Sequence, residues 1–214
     1  YQVLFLQGGA TLQFSMVPMN FGSQGVADYV LSGTWSKKAI NEASKIMDVN
    51  TVISSESSNF NNVPNQETWR CSENAAYLHY VANETIQGNA MHVPPISNAP
   101  LISDMSSVIL SEPIDVSKFS MIYAGAQKNI GPAGLTICVI KNDFLKTASK
   151  KTETKWPQII GSETFIIVDF KCTENNILRS LLKAICSCIN FRSLSISIKV
   201  ESTTSPSLRI ISSF

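Results

Sequence analysis

The stretch MIYAGAQKNIGPAGLTICVIK, residues 121–141, sets one amine between two apolar runs. Lys128 follows MIYAGA and precedes LTICVI, in a loop of Gly, Gln, Asn and Pro. A lysine after a strand is commonly solvated or ion-paired. Poised to lose its proton, it can instead act as a Schiff-base nucleophile. A carboxylate is at hand for either role. In PLISDMSS, Asp104 closes an apolar run, where it needs a partner because an unpaired buried charge is costly, or else caps a helix. Asp104 and Lys128 end two runs joined by one crossover, SSVILSEPIDVSKF. If those runs are neighbouring strands, both side chains project into one crevice.

Three more segments place useful groups at run ends. In VLFLQGGATLQF a strand-like run enters Gly8-Gly9, and Ala10 and Thr11 open a segment of helical character. A glycine turn into a helix start aims free backbone N–H groups at one spot. That spot suits a phosphate, although such glycines also serve as plain tight turns. In DYVLSGTWS, Trp35 follows a run and offers its face to a planar ligand, or packs as a rim tryptophan. In YVANETIQG, Asn83, Glu84 and Thr85 follow a third run. Thr85 can hydrogen-bond a ligand, or the three residues build a polar turn.

Such groups need a frame that gathers run ends. Residues 1 to about 149 alternate apolar or β-branched runs with helical or loop segments: Val3–Leu6, Asp28–Leu31, Thr51–Ser54, Tyr77–Ala82, Leu101–Ser103, Met121–Ala124 and Leu135–Ile140. Several are apolar at consecutive positions, as strands covered on both faces are. Between two of them, SKKAINEASKIM carries Ala39, Ile40, Ala43, Ile46 and Met47 at helical spacing, with Ser36 as its N-cap. The alternation predicts an α/β fold, a mostly parallel sheet with helices on both faces, whose ligands bind beyond the carboxyl ends of the strands. The Gly-Pro link before Leu135 is too short for a parallel crossover, so the last strand is predicted antiparallel. From about residue 150 the texture changes to a charged link, SKKTETK, followed by FIIVDF, ILRSLLKAICSCI, LSISIKV and a Ser/Thr-rich end, with no chemistry read there.

With 214 residues, 44% hydrophobic and 15% charged, the chain can bury a substantial core. A formal net charge of +1 gives no electrostatic reason to expect nucleic acid, and no apolar run reaches the length of a membrane span. The five cysteines, Cys71, Cys138, Cys172, Cys186 and Cys188, make no CxxC pair and are joined by only two histidines, His79 and His92. That argues against a zinc site or a disulfide framework and favours a reducing cytosol. The chain opens at Tyr1 directly on a strand-like run, so it is expected to be an internal fragment, with an organelle-targeting peptide upstream left open.

A phosphate seat, an aromatic face, a hydroxyl, a carboxylate and a lysine, all at run ends, are the parts a pyridoxal phosphate site requires. The blocks QGGATLQFSMVPMN, ADYVLSGTWSKKA, ANETIQG, SDMSS, EPIDVSKF and AGAQKNIGPAGLT resemble, in this order through about residue 149, phosphoserine aminotransferase, a fold-type I pyridoxal-phosphate family. The resemblance implies that family's large domain over residues 1–149, with a mostly parallel seven-stranded sheet. Residues 150–214 then form an unmatched tail, poorly folded or from an aberrant gene model. It implies pyridoxal 5'-phosphate as cofactor, a homodimer and a cytoplasmic setting. The implied reaction moves an amino group between L-glutamate and 3-phosphohydroxypyruvate, giving O-phospho-L-serine and 2-oxoglutarate in serine biosynthesis. Carried over residue by residue, Lys128 would be the Schiff-base lysine and shuttle a proton, and Asp104 would pair with the pyridinium nitrogen. Trp35 would stack on the ring, Thr85 would hydrogen-bond its polar edge, and Ala10, Thr11 and Gln127 would hold the phosphate. Ala10-Thr11 stand where some relatives have Gly followed by Arg or Cys; backbone N–H donation survives that change and a direct arginine–phosphate pair does not. The family's N-terminal substrate arginine, its Tyr-Asn-Thr-Pro-Pro block and its small C-terminal domain have no counterpart in these residues. Two alternatives stay open. One is an inactive product of the same gene that at most binds the cofactor or pairs with full-length subunits. The other is a different fold-type I enzyme such as a desulfurase, which a His-Lys pair would favour over the Gln127-Lys128 found here.

Overall fold

The computed structural model describes residues 1–149, except 23–24 and 64, and two-residue strands at 166–167, 170–171 and 197–198. The reading of residues 150–214 otherwise lies outside the described residues. In chain order the elements are β1 (Gln2–Gln7), α1 (Ala10–Phe21), β2 (Ala27–Leu31), α2 (Thr34–Ala43), β3 (Val49–Ser54), β4 (Leu78–Val81), β5 (Asn83–Glu84), β6 (Asn89–Ala90), β7 (Leu101–Asp104), β8 (Met121–Gly125), β9 (Leu135–Ile140), α3 (Asn142–Leu145) and β10 (Ile166–Ile167). Each apolar run expected to form a strand does so.

The main sheet has eight strands in the order β10-β1-β9-β8-β7-β4-β2-β3. Those from β1 to β3 are the seven expected strands; β10 adds a short antiparallel pairing on β1, Leu4 opposite Ile167 and Phe5 opposite Ile166. Strands β2, β3, β4, β7 and β8 pair in parallel. β9 runs against both β8 and β1, as the short Gly-Pro link requires, so β1 points the same way as the parallel set. All these carboxyl ends, together with the start of β9, therefore lie on one rim.

Side chains alternate between faces along each strand. On one face Leu4, Leu6, Tyr29, Tyr77, Ile102, Met121, Tyr123, Cys138 and Ile140 pack with Phe14, Val17 and Phe21 of α1 and Ala39 and Ala43 of α2. On the other, Val30, Leu78, Tyr80, Leu101, Ile122, Ala124 and Val139 are covered by Met105, Ile109, Phe119 and Val116, the last in a 3-10 turn spanning Val116–Lys118. Burial on both faces explains the unbroken apolar run of β8 and the mostly apolar runs of β2 and β4, which are broken only by the buried Asp28 and His79; each fully buried Leu, Ile or Val contributes about 1.5–3 kcal/mol.

The start of α2 departs from expectation. Gly33, not Ser36, is the N-cap, and Ser36 is the third helical residue. Its hydroxyl still accepts from the amides of Ser32 and Gly33, at 2.9 Å each. The helix ends at Ala43, so Ile46 lies past it and is part-exposed rather than on its buried face. The amides at the α2 start are capped by a carboxylate from the distant strand β5, Glu84, which moves the helix start ahead of the local serine.

Candidate active site

The rim is built from strand ends inward. β8 ends at Gly125, and Ala126 donates back to Leu135 of β9. Between them the chain folds over itself, Ile130 and Gly131 both donating to the Ala126 carbonyl, and this turn lifts Lys128 onto the rim. One strand away, Gly8 donates to Gly134 at 2.8 Å and its carbonyl accepts from the Thr136 hydroxyl at 3.0 Å. Both glycines have left-handed backbones, φ +100° and +91°, which side-chain-bearing residues rarely adopt. This seam brings the glycine turn before α1 beside the lysine loop. α1 begins from Gly9 with no side-chain cap and no acidic residue in its first turn, so the amides at Ala10 and Thr11 have no side-chain acceptor among the described residues. Ala10 is buried, while Thr11, Gln127 and Lys128 are exposed.

Across the rim, β4 runs into the small β5–β6 hairpin and presents Thr85 in its turn. The Thr85 hydroxyl oxygen accepts from the Lys128 ammonium at 2.8 Å and from the indole N–H of Trp35 at 3.1 Å. The Lys128 nitrogen also lies 5.3 Å from the Trp35 ring centroid, a cation–π distance, and the Lys38 nitrogen lies 4.6 Å from the same ring. Three of the predicted site residues are thus in direct contact. Trp35 reaches this place from the second position of α2, not from a strand end.

Asp104, the last residue of β7, is 5% exposed. Its Oδ1 accepts from the Ser106 amide at 2.9 Å and the Ser106 hydroxyl at 2.6 Å, while the Ser106 hydroxyl oxygen accepts from the Gly125 amide at 3.0 Å. Burial raises the Asp104 carboxyl above its ordinary value, against the Ser106 hydrogen bonds and the Lys128 charge, which lower it, while Glu84 pushes it further up. A carboxylate held at this cost, beside a lysine, is suited to a cationic partner. In the sheet register Asp104 sits opposite Tyr123, whose hydroxyl meets His79 Nε2 at 2.8 Å. His79 is stacked between Tyr29 and Tyr123 and held neutral, burial lowering its pKa to about 3; its Nδ1 has no hydrogen-bond partner among the described residues.

Two residues here escaped sequence reasoning. Ser106 carries a local signal, a hydroxyl two residues after an aspartate, the spacing of a side-chain turn. Glu84 does not: as part of a polar turn it reads as solvent-facing, yet it is 0% exposed. Its carboxylate accepts from the amides of Trp35 and Ser36, each at 2.8 Å. Among the described residues no cluster of three or more His, Cys, Asp or Glu side chains could hold a metal. No helix among them is long and apolar enough to cross a membrane.

The family model "Aminotransferase class-V" matches residues 1–170, running past the boundary at 149. The chain is 47% identical over 171 residues to a phosphoserine aminotransferase from Hahella chejuensis, covering 79% of this chain and 47% of that protein. Among solved structures, phosphoserine aminotransferase from Bacillus circulans subsp. alkalophilus superposes with a TM-score of 0.66 at 46% identity, covering 69% of this chain and 42% of that one. PLP-bound phosphoserine aminotransferase from Trichomonas vaginalis does so with a TM-score of 0.64 at 45% identity, covering 67% and 44%. The chain spans less than half the length of the curated relatives it matches. The rim of lysine, tryptophan, threonine and aspartate thus sits in the fold-type I architecture these structures share, and the chain belongs to the class-V aminotransferase family.

Proposed function

We propose that this chain carries the cofactor-binding part of a phosphoserine aminotransferase. The reaction is amino-group transfer between L-glutamate and 3-phosphohydroxypyruvate, with O-phospho-L-serine and 2-oxoglutarate as products. The single observation that carries this reading is the junction at Thr85, where one hydroxyl joins the lysine and the indole, in a chain about half identical to enzymes of that name. The residues fit pyridoxal 5'-phosphate. Asp104 would pair with its ring nitrogen, Trp35 with its ring face and Thr85 with its polar edge; Ala10, Thr11 and Gln127 would hold its phosphate and Lys128 its carbonyl carbon. When bound, the cofactor supplies an electron sink for the carbanion left at the substrate α-carbon.

The protein's own groups do the rest. Thr85 already accepts from two N–H donors, so its remaining capacity is to donate its own proton. Lys128, at the mouth of the rim, is the base that takes the α-proton from the substrate and returns a proton on the reverse leg. Asp104, kept dry beneath, would hold a positive ring nitrogen in place, with one carboxylate oxygen fixed by Ser106. The amides at the start of α1 would bind the phosphate dianion, aided by the positive end of the helix.

The domain is taken to close near residue 149. A homodimer accounts for Ile86, Val93 and Ile96, which are 61%, 79% and 84% exposed on the segment around the hairpin. The cytoplasm accounts for the free thiols of Cys71 and Cys138. Adding pyridoxal phosphate to the purified chain, sized by light scattering, should give a visible absorbance band that Lys128→Ala removes. A band that survives in Lys128→Ala, or no band at all, counts against the reading. Conversion of phosphoserine with 2-oxoglutarate then tests the substrates.

A further inference from the structure

Glu84 is a fully buried carboxylate at the end of β5, just before the exposed turn residues Thr85 and Ile86, and both its oxygens are spent on the start of α2. The fit is tight on the other side as well. A Cβ at Gly33 would come within 2.5 Å of the Glu84 carboxyl carbon, so the glycine leaves the slot into which the carboxylate enters. The next residue, Thr85, takes the Trp35 side chain through its indole N–H and takes Lys128 through its amine. One dipeptide therefore grips Trp35 twice, Glu84 by the backbone and Thr85 by the ring. Gln87 caps the same helix separately, its Oε1 accepting from the Thr34 amide at 3.2 Å and its Nε2 donating to the Thr34 hydroxyl at 2.7 Å. Capping alone does not require a charge sealed from water at this position. The Glu84 charge also reaches Asp104 across the rim.

We propose that Glu84 is a positioning residue, whose carboxylate locks the Trp35 and Ser36 amides and thereby fixes the indole against Thr85 and Lys128 as a preset stacking face. That the face serves a cofactor ring rests on the proposed function; that Glu84 fixes it does not. A glutamine at this position keeps the shape but offers one oxygen and one NH2 group, so an N–H donor must face an amide N–H donor. The lock opens on one side without removing volume.

The test uses the full chain with Trp69 and Trp156 replaced by phenylalanine, so that Trp35 alone reports. In Glu84→Gln, with far-ultraviolet circular dichroism unchanged, acrylamide quenching of Trp35 should rise several-fold. Hydrogen exchange at the Trp35 and Ser36 amides should quicken at least tenfold. Gln87→Ala, which loosens the same helix end through Thr34, should leave Trp35 quenching near its starting value. With pyridoxal phosphate, Glu84→Gln should weaken binding about tenfold and shrink the circular dichroism induced in the bound ring, while Glu84→Asp recovers part of both. Unchanged quenching and exchange in Glu84→Gln, or equal changes in Gln87→Ala, would overturn the positioning role. If the parent chain binds no pyridoxal phosphate, the functional reading fails, and quenching and exchange still decide the role of Glu84. If Glu84→Gln does not fold, the same two readouts in Glu84→Asp decide it.

Discussion

At the scale of one residue, the burial that suits Asp104 to its proposed role also bears on stability. Its carboxyl is raised by burial, so in the cofactor-free protein the folded state holds its proton more tightly than the unfolded state. Its contribution is therefore complete below the ordinary aspartate range and is lost as pH rises through the higher folded value. Asp104→Asn keeps the acceptor for both Ser106 donors and removes that loss. The cofactor-free variant should match or exceed the parent in urea midpoint at pH 7 and be less sensitive to pH from 4 upward. Its affinity for pyridoxal phosphate should fall at least tenfold; a variant both less stable and equally able to bind would contradict the assigned role. Lys128 and Asp104 were legible in the sequence because each ends an apolar run, where a charge needs a reason. Ser106 was legible only in retrospect, and Glu84 not at all, since its partners Trp35 and Ser36 lie 49 and 48 residues away. No local pattern distinguishes a carboxylate turned inward from one turned to water.

The elements were read from burial, and their ends were not. Runs such as MIYAG and LHYV betray strands because both faces of the sheet are covered. The direction of β9 followed from the length of its link alone. The start of α2 was misplaced by three residues because the serine hydroxyl looked like the cap, whereas the tertiary carboxylate of Glu84 sets the first turn ahead of it. Gly33 carries the same lesson in the other direction. Its φ of 174° is open to any residue, so its need for glycine comes only from the Glu84 side chain against it. Gly33→Ala should therefore cost about 1–3 kcal/mol by overpacking, measured by urea unfolding. It should cost markedly less when combined with Glu84→Ala, because the clash partner is then gone; equal costs in both backgrounds would show that the contact is not the cause.

At the scale of the whole molecule, the layer of Tyr29, His79 and Tyr123 under the rim ties stability to acid. His79 is held neutral with its pKa lowered to about 3, so the unfolded chain takes up a proton first as pH falls below about 6.5. The stability this group provides is complete above that pH and is lost toward pH 3, at up to about 1.4 kcal/mol per pH unit. Asp104 acts in the opposite sense over the lower part of the window. Replacing His79 with phenylalanine should flatten the dependence between pH 7 and 5 in urea midpoints, and an unchanged slope would place the sensitivity elsewhere. The seam between β1 and β9 has a different consequence, one of time. Gly8 and the start of α1 come early in the chain, yet the strand that fixes them, with Val3 opposite Val139 and Leu6 opposite Thr136, comes more than a hundred residues later. At ribosomal rates of about 5–20 residues per second, the first strand waits on the order of ten seconds for its partner. The glycine turn before α1 and the lysine loop are thus joined late, by contacts that span well over a hundred residues. A partial product that stops short of β9 therefore leaves the Gly8 turn unjoined to the Lys128 loop.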